Sequence, residues 1–213
     1  MKNVIFWGAT SQAHVLREAI AESEFRLIAL FDNRPLQSPF VDVPLFIGPE
    51  GFSSWLSGIS SPESIHACVA VGGNRGIERL MLQHWLQEQG IQPITIVHRN
   101  AFVANNVVIG QGSQILAMSA LCAGARLGDA VIVNTSASVD HGCIVERGVH
   151  IAPGARIAGD VHIEEHVFVG TGAVILPRIK IGRGAVIGAG AVVIRDVAAG
   201  QTVVGNPARP LAR

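Results

Sequence analysis

From Ala101 to Asp196 the sequence divides into sixteen consecutive hexads without one insertion, and the third place of every hexad is Val, Ile or Leu. That column runs from Val103 and Ile109 at one end to Ile187 and Val193 at the other. The first place is nearly as uniform, holding only Ala, Val, Ser, Cys and a single Ile. A period of six suits neither a 3.6-residue helix nor simple strand alternation. It suits a prism whose sides are short strands, with the aliphatic column pointing to the axis and the small column filling the corners. Three sides need about 18 residues per coil, so sixteen hexads predict roughly five coils and a column about 25 Å tall at the spacing of paired strands. Gly110, Gly128, Gly170, Gly182 and Gly188 directly follow the inward residue and are expected to be where the chain turns.

The repeat accounts for a composition unlike that of a mixed domain: 24 Gly, no Tyr and 15% charged residues among 49% hydrophobic ones. Sixteen basic residues balance sixteen acidic ones, which argues against a nucleic acid or an anionic membrane as partner. No apolar run approaches the ~20 residues of a membrane span. The opening Met1–Gly8 stretch lacks the apolar core and cleavage site of a secretory signal. Cys68, Cys122 and Cys143 form neither a disulfide framework nor a paired metal motif, as expected in the cytoplasm. Cys143 falls in the small column and is expected to be a buried corner filler.

The first ~97 residues follow another grammar. Val4–Trp7 is a short apolar run entering a glycine turn at Gly8. Helical spacing through Val15, Ile20 and Ala21 leads to a second run, Leu27–Phe31, closed by Asp32 and Asn33. Strand, glycine turn, helix and strand make the front of a nucleotide-binding βαβ unit. A third run, Cys68–Val71, ends in Gly72-Gly73-Asn74-Arg75, and a helix is predicted over 77–89 with Leu80, Met81, Trp85 and Leu86 on one side. Two domains result, 1–97 and 98–213.

Three stretches carry a resemblance: Asn134-Thr135-Ser136-Ala137-Ser138-Val139-Asp140-His141, Val149-His150-Ile151-Ala152-Pro153-Gly154, and the ending Gly205-Asn206-Pro207-Ala208. Here the chain resembles the hexapeptide-repeat acyltransferases, and more narrowly the NeuD/PglD-type bacterial sugar acetyltransferases. The resemblance implies a Rossmann-like α/β domain followed by a left-handed parallel β-helix, working as a homotrimer. It further implies acetyl-CoA as cosubstrate, a nucleotide-linked amino sugar as acceptor, and no metal.

Residue by residue, the resemblance makes His141 the general base for acetyl transfer, a task that suits imidazole near neutral pH. His150 matches a position that contacts acetyl-CoA near the thioester, and main-chain contacts to the same molecule fall at Thr171 and Ala189. Asn134 is a candidate for orienting the sugar amine. Thr10, Ser11 and Gln12 match the substrate loop, and Asp32, Asn33 and Gly73 stand where sugar-nucleotide contacts do. Arg178, Lys180, Arg183 and Arg195 are either phosphate contacts or a solvated basic face. The chain departs from the family pattern twice. Ser11-Gln12 replaces a glycine-histidine pair, and Gly142 stands where an acid commonly follows the histidine. Asp140 is open to two readings, a replacement orienting acid or ordinary hexad grammar. Nine residues, half a coil, separate His141 from His150, so one site using both needs two chains.

Other activities remain open at this level. The acceptor is a nucleotide amino sugar or, alternatively, a hydroxyl of a sialic-acid-type sugar. A metalloenzyme of the γ-carbonic anhydrase type would need a histidine spacing that this chain lacks. A silent trimeric scaffold would keep the column without the chemistry.

Overall fold

The computed structural model describes residues 1–21 and 24–211. Its N-terminal part is a five-stranded parallel sheet in the order β3-β2-β1-β4-β5. The strands are β1 (Lys2–Trp7), β2 (Phe25–Asp32), β3 (Leu45–Ile47), β4 (Ile65–Val69) and β5 (Gln92–Pro93), with helices α1 (Ser11–Ala19), α2 (Gly48–Ser57) and α3 (Gly76–Glu88) between them. Val4, Ile5, Phe6 and Trp7 are all buried because helices cover both faces of the central strand. On one face Trp7 stacks on Phe31, with Phe52 and Trp85 closing the cluster. α3 keeps Leu86 buried and Trp85 packed on the core, but Met81 is exposed, and Gly76, Arg79 and Gln83 share the buried side.

The hexads form a triangular β-helix of two-residue strands. One face stacks Phe102–Val103, Ala120–Leu121, Ser138–Val139, Arg156–Ile157, Val174–Ile175 and Val192–Val193. The second stacks Val108–Ile109, Arg126–Leu127, Ile144–Val145, His162–Ile163 and Lys180–Ile181. The third begins at Ile96–Val97, passes through Gln114–Ile115, Ile132–Val133, His150–Ile151, Phe168–Val169 and Val186–Ile187, and is closed by Thr202–Val204 and antiparallel Arg209–Pro210. Through the hexads, partners in each face lie 18 residues apart, as in Leu121↔Val139↔Ile157. The aliphatic column and the small column together make the axial core, with Cys143 inside it.

The turns fall elsewhere than expected. Every sixth hexad position from Gly112 to Gly190 has a left-handed backbone, with φ between 53° and 74°, and six of these residues are not glycine: Met118, Ala130, Ser136, Asp160, His166 and Arg178. Gly110, Gly128, Gly170, Gly182 and Gly188, in the fourth position, are not among the positive-φ residues. Their role is close approach, because a Cβ on any of them would press within 2.8 Å of the adjacent turn of chain.

The N-terminal unit packs on the upper part of the third face. Ile94, Ile96, Leu116 and Ile132 share one apolar cluster with Val4, Phe6 and Leu16. Outward residues that would otherwise meet solvent, Gln114, Ile132 and His150, are therefore buried.

Candidate active site

Two groups of expected residues come together at the junction, and a third stands apart. The first surrounds His150, which is only 5% exposed. Its Nδ1 lies 3.2 Å from the Gly73 carbonyl, which can only accept, so this nitrogen carries the proton. Nε2 then accepts from the Asn134 amide at 3.2 Å, while Asn134 Oδ1 accepts the Thr135 N–H. Burial, reinforced by the nearby Arg79 charge, pushes the His150 imidazole down to about 4, so the ring is neutral at physiological pH. Gln12 joins the same wall. Its amide donates to Gln114 Oε1 at 2.7 Å, and Gln114 donates to the Val69 carbonyl. Gly73, Asn134, His150 and Gln12, drawn from three distant stretches, are thus neighbours across the two units.

Arg79 is the residue that sequence reasoning missed here. Fully buried, its guanidinium donates to the carbonyls of Val71, Ala130, Gly148 and Val149, tying α3 to two coils. Gly76 allows this approach, since a Cβ there would overlap the Gly148 carbonyl. Nothing in the hexads or the helix pattern marks a charged residue as a core fastener.

The second group lines a crevice of ≈140 Å³ at the carboxyl ends of β1, β2 and β4, bordered by Gly8, Thr10, Asp32, Asn33, Gly72 and Arg75. Thr10 precedes α1 and its side chain caps nothing; Thr10 and Ser11 are both exposed. Asp32 is buried, and both its oxygens are engaged: Oδ2 accepts the Ala9 N–H, and Oδ1 accepts the main chain and Nε of Arg34. Burial would raise this carboxyl, but the hydrogen bonds from Arg34 and Ala9 outweigh it and hold it below the usual range. Asp32 therefore braces the glycine turn and leaves Asn33 and Arg34 at the crevice. A wider groove of ≈680 Å³ shares Asn33, Arg75, Glu78 and Leu82 with it.

His141 stands apart, on the corner between the first and second faces, with its side chain 63% exposed. Asp140 does not meet the imidazole; its Oδ1 accepts the main-chain N–H of His141 at 2.7 Å. The carboxylate that does face the ring belongs to Asp160, with Oδ1 3.9 Å from Nδ1. Thr171 and Ala189 are exposed on a different corner, after the third face, one coil apart. Lys180 pairs with Glu164, and Arg183 and Arg147 both pair with Glu165. Among the described residues no group of three or more His, Cys, Asp or Glu could hold a metal ion, and no helix is long and apolar enough to cross a membrane.

Comparison with solved structures gives a match along the whole chain. The acetyltransferase domain of PglB from Neisseria gonorrhoeae is 32% identical, with a TM-score of 0.86 over 99% of this chain and 100% of that one. The chain belongs to the hexapeptide-repeat sugar acetyltransferases of bacteria. Residues 160–195 match the bacterial transferase hexapeptide family (six repeats). The GDP-perosamine N-acetyltransferase of Escherichia coli O157:H7 is 40% identical over 129 residues, and that match spans 58% of each chain. PerB from Caulobacter crescentus, solved with CoA and GDP-perosamine, is 27% identical with a TM-score of 0.90, covering 100% of this chain and 98% of that one.

Proposed function

We propose that the chain is an acetyl-CoA-dependent N-acetyltransferase whose acceptor is the amine of a nucleotide-linked sugar. The observation that carries this reading is the full-length likeness, 34% identical, to the acetyltransferase domain of PglB in complex with acetyl coenzyme A. The likeness to PerB with CoA and GDP-perosamine supports the acceptor class. In this reading the N-terminal sheet is Rossmann-like, and the crevice between Gly8, Asn33 and Gly72 holds the diphosphate at the start of α1.

The β-helix coils left-handed and assembles as a homotrimer. His141 lies on one corner, while His150, Thr171 and Ala189 lie on the third face and the corner after it. A neighbouring chain brings these two sets together, and a closed ring of three repeats the site three times. Exposed Phe102, Val108 and Ile144 leave the first and second faces suited to such contacts. The three cysteines are free, which fits a cytoplasmic enzyme.

His141 takes the proton from the sugar amine as its nitrogen attacks the thioester carbonyl, and returns it to the departing sulfur as the C–S bond breaks. His150, neutral and held in one tautomer, and the Asn134 amide line the acetyl end of the site. Main-chain groups at Thr171 and Ala189 guide the pantetheine arm. Most of the rate comes from holding the two substrates together and stabilising the oxyanion.

The test is thiol release from acetyl-CoA with GDP-perosamine, run beside UDP- and dTDP-linked 4-amino sugars and sialic acid. An amino sugar is expected to be consumed. His141→Asn is expected to lower kcat by about 10²- to 10⁴-fold with little change in KM for acetyl-CoA. Thiol release with sialic acid alone, or with none of these acceptors, overturns the reading.

A further inference from the structure

Successive coils meet at the histidine corner in a diagonal fit. One presents His141-Gly142 and the next, 18 residues on, presents Gly159-Asp160. The His141 ring, at Cε1 and Nε2, fills the space that a side chain on Gly159 would need. Asp160 Oδ1 in turn fills the space that a side chain on Gly142 would need. The register is set by the main chain, where the Asp160 N–H donates to the His141 carbonyl at 2.9 Å. Each polar side chain therefore lies over the glycine of the other coil, and the outcome is the 3.9 Å approach of Asp160 Oδ1 to His141 Nδ1. The second carboxylate oxygen faces Arg178, on the following coil of the same corner, with Nε 4.0 Å away.

We propose that Asp160 is the positioning residue for His141. Its carboxylate accepts the Nδ1–H, which selects the tautomer with a free Nε2, and it stabilises the imidazolium that forms when Nε2 takes the amine proton. The proposal rests on His141 being the general base. The proton on Nε2 leaves with the CoA sulfur. At 3.9 Å the groups attract without a hydrogen bond; a small rotation of the half-exposed carboxylate closes the gap, as such contacts tighten when substrate excludes water. Asp140 is not a competitor, because it is held on the His141 main chain. The remaining groups at this corner are Arg178 and the thiols of Cys122 and Cys143. Burial raises both thiols, that of Cys143 to about 11, so neither adds charge near neutral pH.

The test uses the full chain, acetyl-CoA and GDP-perosamine. Asp160→Asn keeps the shape and tolerates the left-handed φ of 59° at this turn. It is expected to lower kcat by about 10- to 100-fold at unchanged KM for acetyl-CoA. The acid limb of its pH profile is expected to move to lower pH, because the imidazolium loses its counter-charge. The double variant Gly142→Asp/Asp160→Gly returns the acid to the coil of the histidine and is expected to exceed Asp160→Gly in kcat, whereas a purely structural role would not be rescued. Wild-type kcat and an unmoved acid limb in Asp160→Asn, beside an inactive His141→Asn, overturn the proposal. If wild type releases no thiol, the functional reading falls instead. An NMR titration of the His141 ring then decides about Asp160: protonation at lower pH in Asp160→Asn supports the pairing, and identical curves overturn it.

Discussion

His150 Nδ1 and the carbonyl oxygen of Gly73 lie 3.2 Å apart, although 77 residues separate them in the chain. The contact crosses from the glycine loop after β4 to the third face of the β-helix, and Arg79 fastens the same seam from below. The crevice beside Gly72 and the histidine-bearing face are therefore joined by buried hydrogen bonds. A shift of either unit would break a buried hydrogen bond.

Acid stability is expected to report on this seam. His150 has a folded value near 4 against an ordinary 6.5, so between these limits the unfolded chain binds the extra proton and stability falls as pH falls. The contribution is fully present above about 6.5 and lost by about 4, and is on the order of 3 kcal/mol. His150→Gln is expected to be less stable than wild type at pH 7, with the two melting curves converging toward pH 4. Parallel curves across this window would contradict the burial of a neutral ring.

Gly159→Ala is expected to act on catalysis more than on folding. Gly159 is not among the positive-φ residues, so the backbone accepts alanine, but the new Cβ would overlap the His141 ring. Displacing a base by about 1 Å can cost about 100-fold in rate. A loss of kcat of that order with a nearly unchanged melting temperature is the expected result, measured by thiol release and thermal denaturation.

Arg79→Leu leaves the buried carbonyls of Val71, Ala130 and Gly148 without the guanidinium that donates to them, while Val149 keeps its main-chain donor from Ile132, and is expected to destabilise the chain by about 3 kcal/mol or more. Arg79→Lys should recover only part of this, because an ammonium cannot fork to four acceptors. The His150 ring is expected to protonate at higher pH in Arg79→Leu, since the Arg79 charge opposes its protonation. Denaturant titration and an NMR titration of the ring check the two effects separately.

The two glycine columns are expected to respond differently to alanine. Gly154, at φ 69°, has open space where a Cβ would stand, with no neighbouring atom within 4 Å, so Gly154→Ala costs backbone strain alone, about 1 kcal/mol. Gly170→Ala brings a Cβ within 2.6 Å of the Ala189 nitrogen and 2.7 Å of the Ile187 carbonyl. Rigid ladder backbone cannot give way cheaply, so about 2–3 kcal/mol is expected. Chemical denaturation of the two variants distinguishes strain from overlap.

The β-helix was legible because its core is built from one repeated column, and burying that column every sixth residue leaves little alternative for the backbone. The turns fall outside the column that the sequence suggests because glycine serves two purposes in this fold. Five glycines in the fourth column suggest turns there but serve close approach, whereas the left-handed corner sits in the sixth, where Met118, Asp160 and Arg178 hide it. Counting eight glycines in that sixth column would have found it. On α3, apolar spacing groups Met81 with Leu80, Trp85 and Leu86, but Met81 is exposed, and Arg79 and Gln83, whose side chains donate across the seam, share the buried side with Leu86.

At the histidine corner the local sequence offered only Asp140 and Gly142, one an acid and the other the lack of one. Asp160 is invisible there because the relevant neighbour lies one coil away, 18 residues along, and no short motif spans that distance. The sequence by itself determined the architecture, since hydrophobic periodicity acts along the chain and reads the same wherever the chain goes. It also marked His141 and His150. Only the tertiary structure decided which carboxylate faces His141 and that His150 is buried, neutral and bonded to Gly73. Those facts depend on which residues the 18-residue pitch and the docking of the two units bring within a few ångströms, and that distance is where electrostatics and desolvation act.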